Sequence, residues 1–92
     1  MGALNIHTQS LQNGTITIIA ANNVLRVSVL AKLGVILVNG SQSFQGNPST
    51  ALSLVAGQGI TISTSSAQNP IDGLTITAAT SGDVADIVVS TQ

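Results

Sequence analysis

The sequence predicts an all-β fold, a sandwich or small barrel of about eight short strands. Three observations carry this. Apolar residues recur with a period of two, and no stretch shows the helical period of about 3.6. Turn-forming pairs interrupt the chain roughly every ten residues. The alternating segments are built from Ile, Val and Thr, which suit a pleated, half-buried surface.

The first candidate strand covers residues 4–8 and contains the only histidine, His7. In residues 15–19, Ile16 and Ile18 share one face while Thr15 and Thr17 point the other way. In residues 25–31, Leu25, Val27, Val29 and Ala31 alternate with Arg26, Ser28 and Leu30. Val35, Ile36, Leu37 and Val38 are apolar on both faces. Such a run is either a central strand or one that packs against a partner chain. Residues 43–45 and 51–55 are further candidates. Ile60 and Ile62 alternate with Thr61 and Ser63, and Leu74 and Ile76 with Thr75 and Thr77. The last segment sets Ala85, Ile87 and Val89 against Asp86, Val88 and Ser90.

The breaks fall where turn chemistry predicts them. Asn13-Gly14 and Asn39-Gly40 are short-turn dipeptides, because both residue types tolerate positive φ. Asn22-Asn23, Gly57-Gln58-Gly59, Asn69-Pro70, Asp72-Gly73 and Ser81-Gly82-Asp83 supply the others. Polar loops are expected over residues 39–50 and 64–73. Residues 1–92 make one β-sandwich domain, with an N-terminal arm over residues 1–10.

Composition excludes several functions. The chain has 92 residues, and its charged residues amount to 5%, against about 25% in an ordinary soluble domain. Arg26 and Lys32 are the only basic residues besides His7, too few to neutralise a run of phosphates, so nucleic acid is not a partner. With no Cys, disulfides and thiolate zinc sites are ruled out. A membrane span is not expected, because Asn22, Asn23, Arg26, Ser28 and Lys32 interrupt the most apolar region, residues 15–38. The N-terminal end lacks the basic-then-apolar pattern of a secretory leader. The expectation is an intact chain made in a cytoplasm. A domain this small, with little charge to keep copies apart, is expected to gain stability by assembling with itself or with a scaffold.

No chemistry-bearing group stands out. A catalytic His7 would need a nucleophile and an orienting group, and nothing marks one, so His7 reads as a surface or interface residue. Asp83 and Asp86, with Asp72 nearby, are too few for a calcium loop. They read as a turn residue before the last strand and an exposed strand residue. Gly57-Gln58-Gly59 lacks the Lys-Ser/Thr of a phosphate loop and precedes a strand. The threonine faces lack the regular repeats an ice-binding solenoid needs. Phe44, the only aromatic residue, is either a plug on the core or an anchor inserted into a neighbour. No enzyme, cofactor or metal site is expected.

Residues 20–30, Ala-Ala-Asn-Asn-Val-Leu-Arg-Val-Ser-Val-Leu, resemble a pattern in small virion proteins of tailed bacteriophages. A Leu-Ser-Leu-Val-Ala-Gly-Gln-Gly-Ile-Thr-Ile run (residues 52–62) and a final glycine-led strand (residues 82–89) follow in the same order. The resemblance implies a jelly-roll-like β-sandwich that decorates or cements the outside of a phage capsid. It implies a virion location and two partners, copies of the chain itself as a trimer or dimer and the major capsid protein. The contact residues expected on this reading are Phe44, Val35, Ile36, Leu37, Val38, Ile6 and His7. Residues 55–63 also look like tail-fibre segments. The alternative is therefore a trimeric tail-fibre, head-fibre or spike subunit that binds a host receptor. Fibre chains are usually long, which favours the compact virion domain.

Overall fold

The computed structural model describes residues 4–40 and 51–92. These form strands β1 (Asn5–Leu11), β2 (Thr15–Ile18), β3 (Val24–Leu33), β4 (Val35–Gly40), β5 (Leu52–Val55), β6 (Gly59–Ser63), β7 (Leu74–Ala78) and β8 (Val84–Thr91). One short 3₁₀ turn, Ala20–Asn22, joins β2 to β3. Two four-stranded antiparallel sheets result, in the orders β1-β8-β3-β6 and β2-β7-β4-β5. Within the sheets β1 pairs with β8, β2 with β7, β3 with β6 and β4 with β5. This nesting, with the chain folded back on itself and rolled into two layers, is the jelly roll. It resolves the choice between sandwich and barrel in favour of the sandwich.

The core lies between the sheets. Val27, Val29, Ala31, Ala85 and Ile87 from one inner face meet Ile18, Ile36, Val38, Leu54, Leu74 and Ile76 from the other. Val27, Ile36 and Ile76 have no exposed surface at all. Ile16, Ile60, Ile62, Ile71 and Val89 pack against the margins. Every one of these positions carries an aliphatic side chain, so packing rests on branched residues interdigitating across one layer.

Local chemistry explains the corners. Gly14 has φ +81°, and its N–H donates to Asn13 Oδ1 at 2.9 Å. The Asn13-Gly14 turn therefore forms, but it carries the chain from one sheet to the other; β1 and β2 do not pair. At the 3₁₀ turn, the Ile19 N–H donates to Asn22 Oδ1 (2.9 Å), and Asn23 takes the left-handed conformation that asparagine tolerates. Between β3 and β4 the chain passes from one sheet to the other at Gly34 alone, with φ +74°. The Gly57-Gln58-Gly59 bend is tied to β3, because Gly57 N–H donates to the Ala31 carbonyl and Ala31 N–H to that of Gln58.

Three expectations change. Asn39-Gly40 is not a turn. Both residues continue β4 and pair with Thr75 and Leu74 of β7, since a dipeptide that tolerates positive φ is not compelled to adopt it. On β3 the inward residue at the start is Val24, 3% exposed, and not Leu25. The register with β8 slips by one residue between Val24 and Arg26, which resets the alternation. The segment offered as an arm, residues 1–10, contributes Asn5–Ser10 to β1, zipped to β8. The candidate strand at residues 43–45 and the loop of residues 41–50, Phe44 included, lie outside the described residues.

Candidate partner interface

The three carboxylates of the side chains are spent on structure. Asp72 Oδ1 accepts the Ala20 N–H at 2.9 Å, pinning the 3₁₀ turn to the β6–β7 loop. Asp86 is exposed on β8 and pairs with Lys32 Nζ at 3.4 Å. Both are about half exposed, so the pair adds little stability. His7 Nε2 lies 3.2 Å from Thr91 Oγ1. Among the described residues no three His, Asp or Glu side chains converge as metal ligands. No helix there is long and apolar enough to cross a membrane.

Asp83 is the most connected carboxylate. Its Oδ2 accepts from Thr80 Oγ1 (2.8 Å), the Thr80 N–H (3.0 Å) and the Val35 N–H (3.2 Å). The Thr80 hydroxyl first, then the Val35 N–H, hold its carboxyl below the usual carboxylate range. A depressed native value means that its contribution is complete above the unfolded value, about 3.9. That contribution is lost as pH falls through the native value. Melting temperature should thus hold steady down to about pH 5 and decline below about pH 4. The Asp83→Asn variant should show a smaller acid-dependent decline in a series of thermal melts. An identical decline would remove Asp83 as a source.

With the carboxylates accounted for, the two outer sheet faces remain. On the β1-β8-β3-β6 sheet the register places Ile6 beside Ser90, Thr8 beside Val88 and Asp86 beside Leu30. Ile6, Val88 and Leu30 therefore form a diagonal apolar stripe, 66%, 38% and 42% exposed. Ser28 and Thr61 hydroxyls pair beside it (3.1 Å), and Arg26, Lys32 and Asp86 share the strands that carry it. The phase of β1 is inverted. Asn5, His7 and Gln9 share the side of buried Leu11 yet are exposed, while Ile6 points outward. An open cleft of about 360 Å³ follows β1 and β8, lined by Thr8, Gln9, Ser10, Asp86, Ile87 and Val88.

The outer face of the β2-β7-β4-β5 sheet differs in chemistry. Thr15 and Thr17 of β2 lie beside Thr77 and Thr75 of β7, and those beside Leu37 and Asn39 of β4. Ser53 and Val55 of β5 complete the rows against Leu37 and Val35. No charged residue stands among them. Thr15 Oγ1 bonds Thr77 Oγ1 at 3.0 Å, and the Thr75 hydroxyl donates to the Asn39 carbonyl at 3.3 Å.

The expected contact residues separate on this framework. Val35 and Leu37 lie half-buried on the outer face of β4. Ile36 (0% exposed) and Val38 (5%) face the core and have no surface to offer a partner. The reason is that β4 is a central strand between β7 and β5, so its two apolar faces divide between core and surface. Ile6 and His7 sit on opposite sides of β1. Leu30, Val88 and Val55, all exposed, are not among the expected contact residues. The signal for the first two was present, since both occupy the polar phase of their strands. Set against protein-family models, curated proteins and solved structures, the chain matches none.

Proposed function

We propose that this chain is a non-enzymatic structural virion protein, a decoration or cement protein that binds and stabilises the outer surface of a phage capsid. The observation that supports this reading most is the use of its polar groups. The carboxylates of Asp72, Asp83 and Asp86 are engaged within the fold. Among the described residues this leaves two broad outer faces, one of aliphatic and hydroxyl side chains and one that adds Arg26 and the Lys32–Asp86 pair to such groups. Such faces bind by burying area and do no chemistry. Each contact with a shell would be weak, and many copies on one lattice multiply it. Area buried across neighbouring shell subunits resists their separation under pressure from packaged DNA.

The experiment is to prepare particles with and without the protein and heat them while following DNA release. Release at lower temperature from the stripped particles is expected, with recovery when the purified protein is added back. Equal tolerance would overturn the reading. So would a copy number of a handful per particle, which belongs to a fibre or spike.

A further inference from the structure

We propose that the outer face of the β2-β7-β4-β5 sheet is the surface through which two copies of this chain pack, face to face across a two-fold axis. This rests on the assembly reading above and names the surface responsible.

Burying a polar surface is costly when its groups lose water without gaining partners. Here part of that cost is met before any partner arrives. The hydroxyls of Thr15 and Thr77 already bond each other, and that of Thr75 bonds the Asn39 carbonyl. Leu37 stands in one row with the first pair, and Val35 and Val55, the last 50% exposed, form the next row. The face can therefore be covered without stranding a charge.

Charge also selects the occupant. A two-fold interface sets a patch against its own copy, so a charge near the axis meets its like, and one farther out is buried unpaired unless the patch carries an opposite charge to face it. The strands of this face carry no ionised side chain. The other sheet carries Arg26, Lys32 and Asp86, and Asp86 is already taken by Lys32. A second copy could bring Arg26 no uncommitted aspartate, because Asp72 and Asp83 also have partners. The uncharged face suits a second copy, and the face with Arg26 does not.

Size sets the strength. Four strands span about 19 Å, and strands of four to six residues run about 13–20 Å. That is a small patch beside the ~800 Å² per partner of a standard interface, so the dimer belongs with the weak, reversible ones.

Sedimentation of the purified full chain from micromolar to near-millimolar concentration tests this. A reversible monomer–dimer equilibrium is expected. Leu37→Lys and Val55→Lys should each weaken association by at least about tenfold, because a desolvated like charge would be set across the axis. Val55 is exposed on an edge strand, so its variant keeps the fold, which a thermal melt checks. Ile6→Lys on the other sheet should leave the dimer unchanged. A wild-type monomer at all concentrations, a trimer, or a dimer broken by Ile6→Lys and not by Val55→Lys would overturn the inference. A monomer that still binds particles would retire the dimer and leave the cement reading standing. A dimer that fails to bind particles would do the reverse.

Discussion

Replacing Ile76 with alanine is expected to cost about 2–5 kcal/mol of stability, the range for deleting a fully buried aliphatic side chain. Ile76 has no exposed surface and sits on β7 between Ile16 of β2 and Val38 of β4. The missing atoms would leave a hole in a layer one side chain deep. Its walls are branched side chains held by paired strands, which relax poorly into a gap. For a domain of this size each kcal/mol lowers the melting temperature by roughly 4–8 °C. Ile76→Ala should thus melt at least about 8 °C below wild type or fail to fold, by the same factors. Ile76→Val should cost only about 0.5–1.5 kcal/mol. Urea melts at one fixed protein concentration make the comparison, since self-association shifts apparent stability. A cost below about 1 kcal/mol for alanine would show that this layer is not close-packed.

The second large effect is expected from a single methyl group at Gly34. With φ +74°, this residue turns β3 into β4, which lie in different sheets. An L-residue there pays about 1–2 kcal/mol for the left-handed conformation alone. The new Cβ would also collide with the carboxyl group of Asp83. Asp83 cannot yield without breaking its bonds to Thr80 and Val35, and these hold the β7–β8 turn against the start of β4. Gly34→Ala should therefore lose more stability than left-handed strain explains. The double variant Gly34→Ala/Asp83→Gly should lose less than the two single variants summed, because the collision partner is gone. Strict additivity in thermal melts would show that Gly34 is required for its φ only.

These sites mark how far the sequence could be read. Ile16 with Ile18, Leu74 with Ile76 and Ala85 with Ile87 point inward as their period of two predicts, because each strand buries one face. Alternation failed at Val24, where a register slip that no local pattern announces changed the phase. Asn39-Gly40 failed for a different reason. Its turn propensity was outweighed by pairing with β7, a strand some 36 residues away. Long separations also hid the pairing itself, since Asn13-Gly14 suggests neighbours and the fold pairs His7 of β1 with Val89 of β8. Of the candidate contact residues, Val35 and Leu37 reached the surface because they alternate with Ile36 and Val38. A run apolar on both faces shows that both are used, and the sheet order decides which half is which.

The nested topology also bears on how the chain comes to be folded. β8 is the last element in the sequence and stands between β1 and β3, so one layer lacks its middle until β8 arrives. During synthesis, the aliphatic sides of β3, β4 and β7 would already have emerged with no complete layer to cover them. Structure of this kind forms late and all at once, and slowly, because its decisive contacts join distant parts of the chain. Until then the nascent polypeptide is a sticky intermediate, vulnerable to clumping with its siblings and a natural client for chaperones.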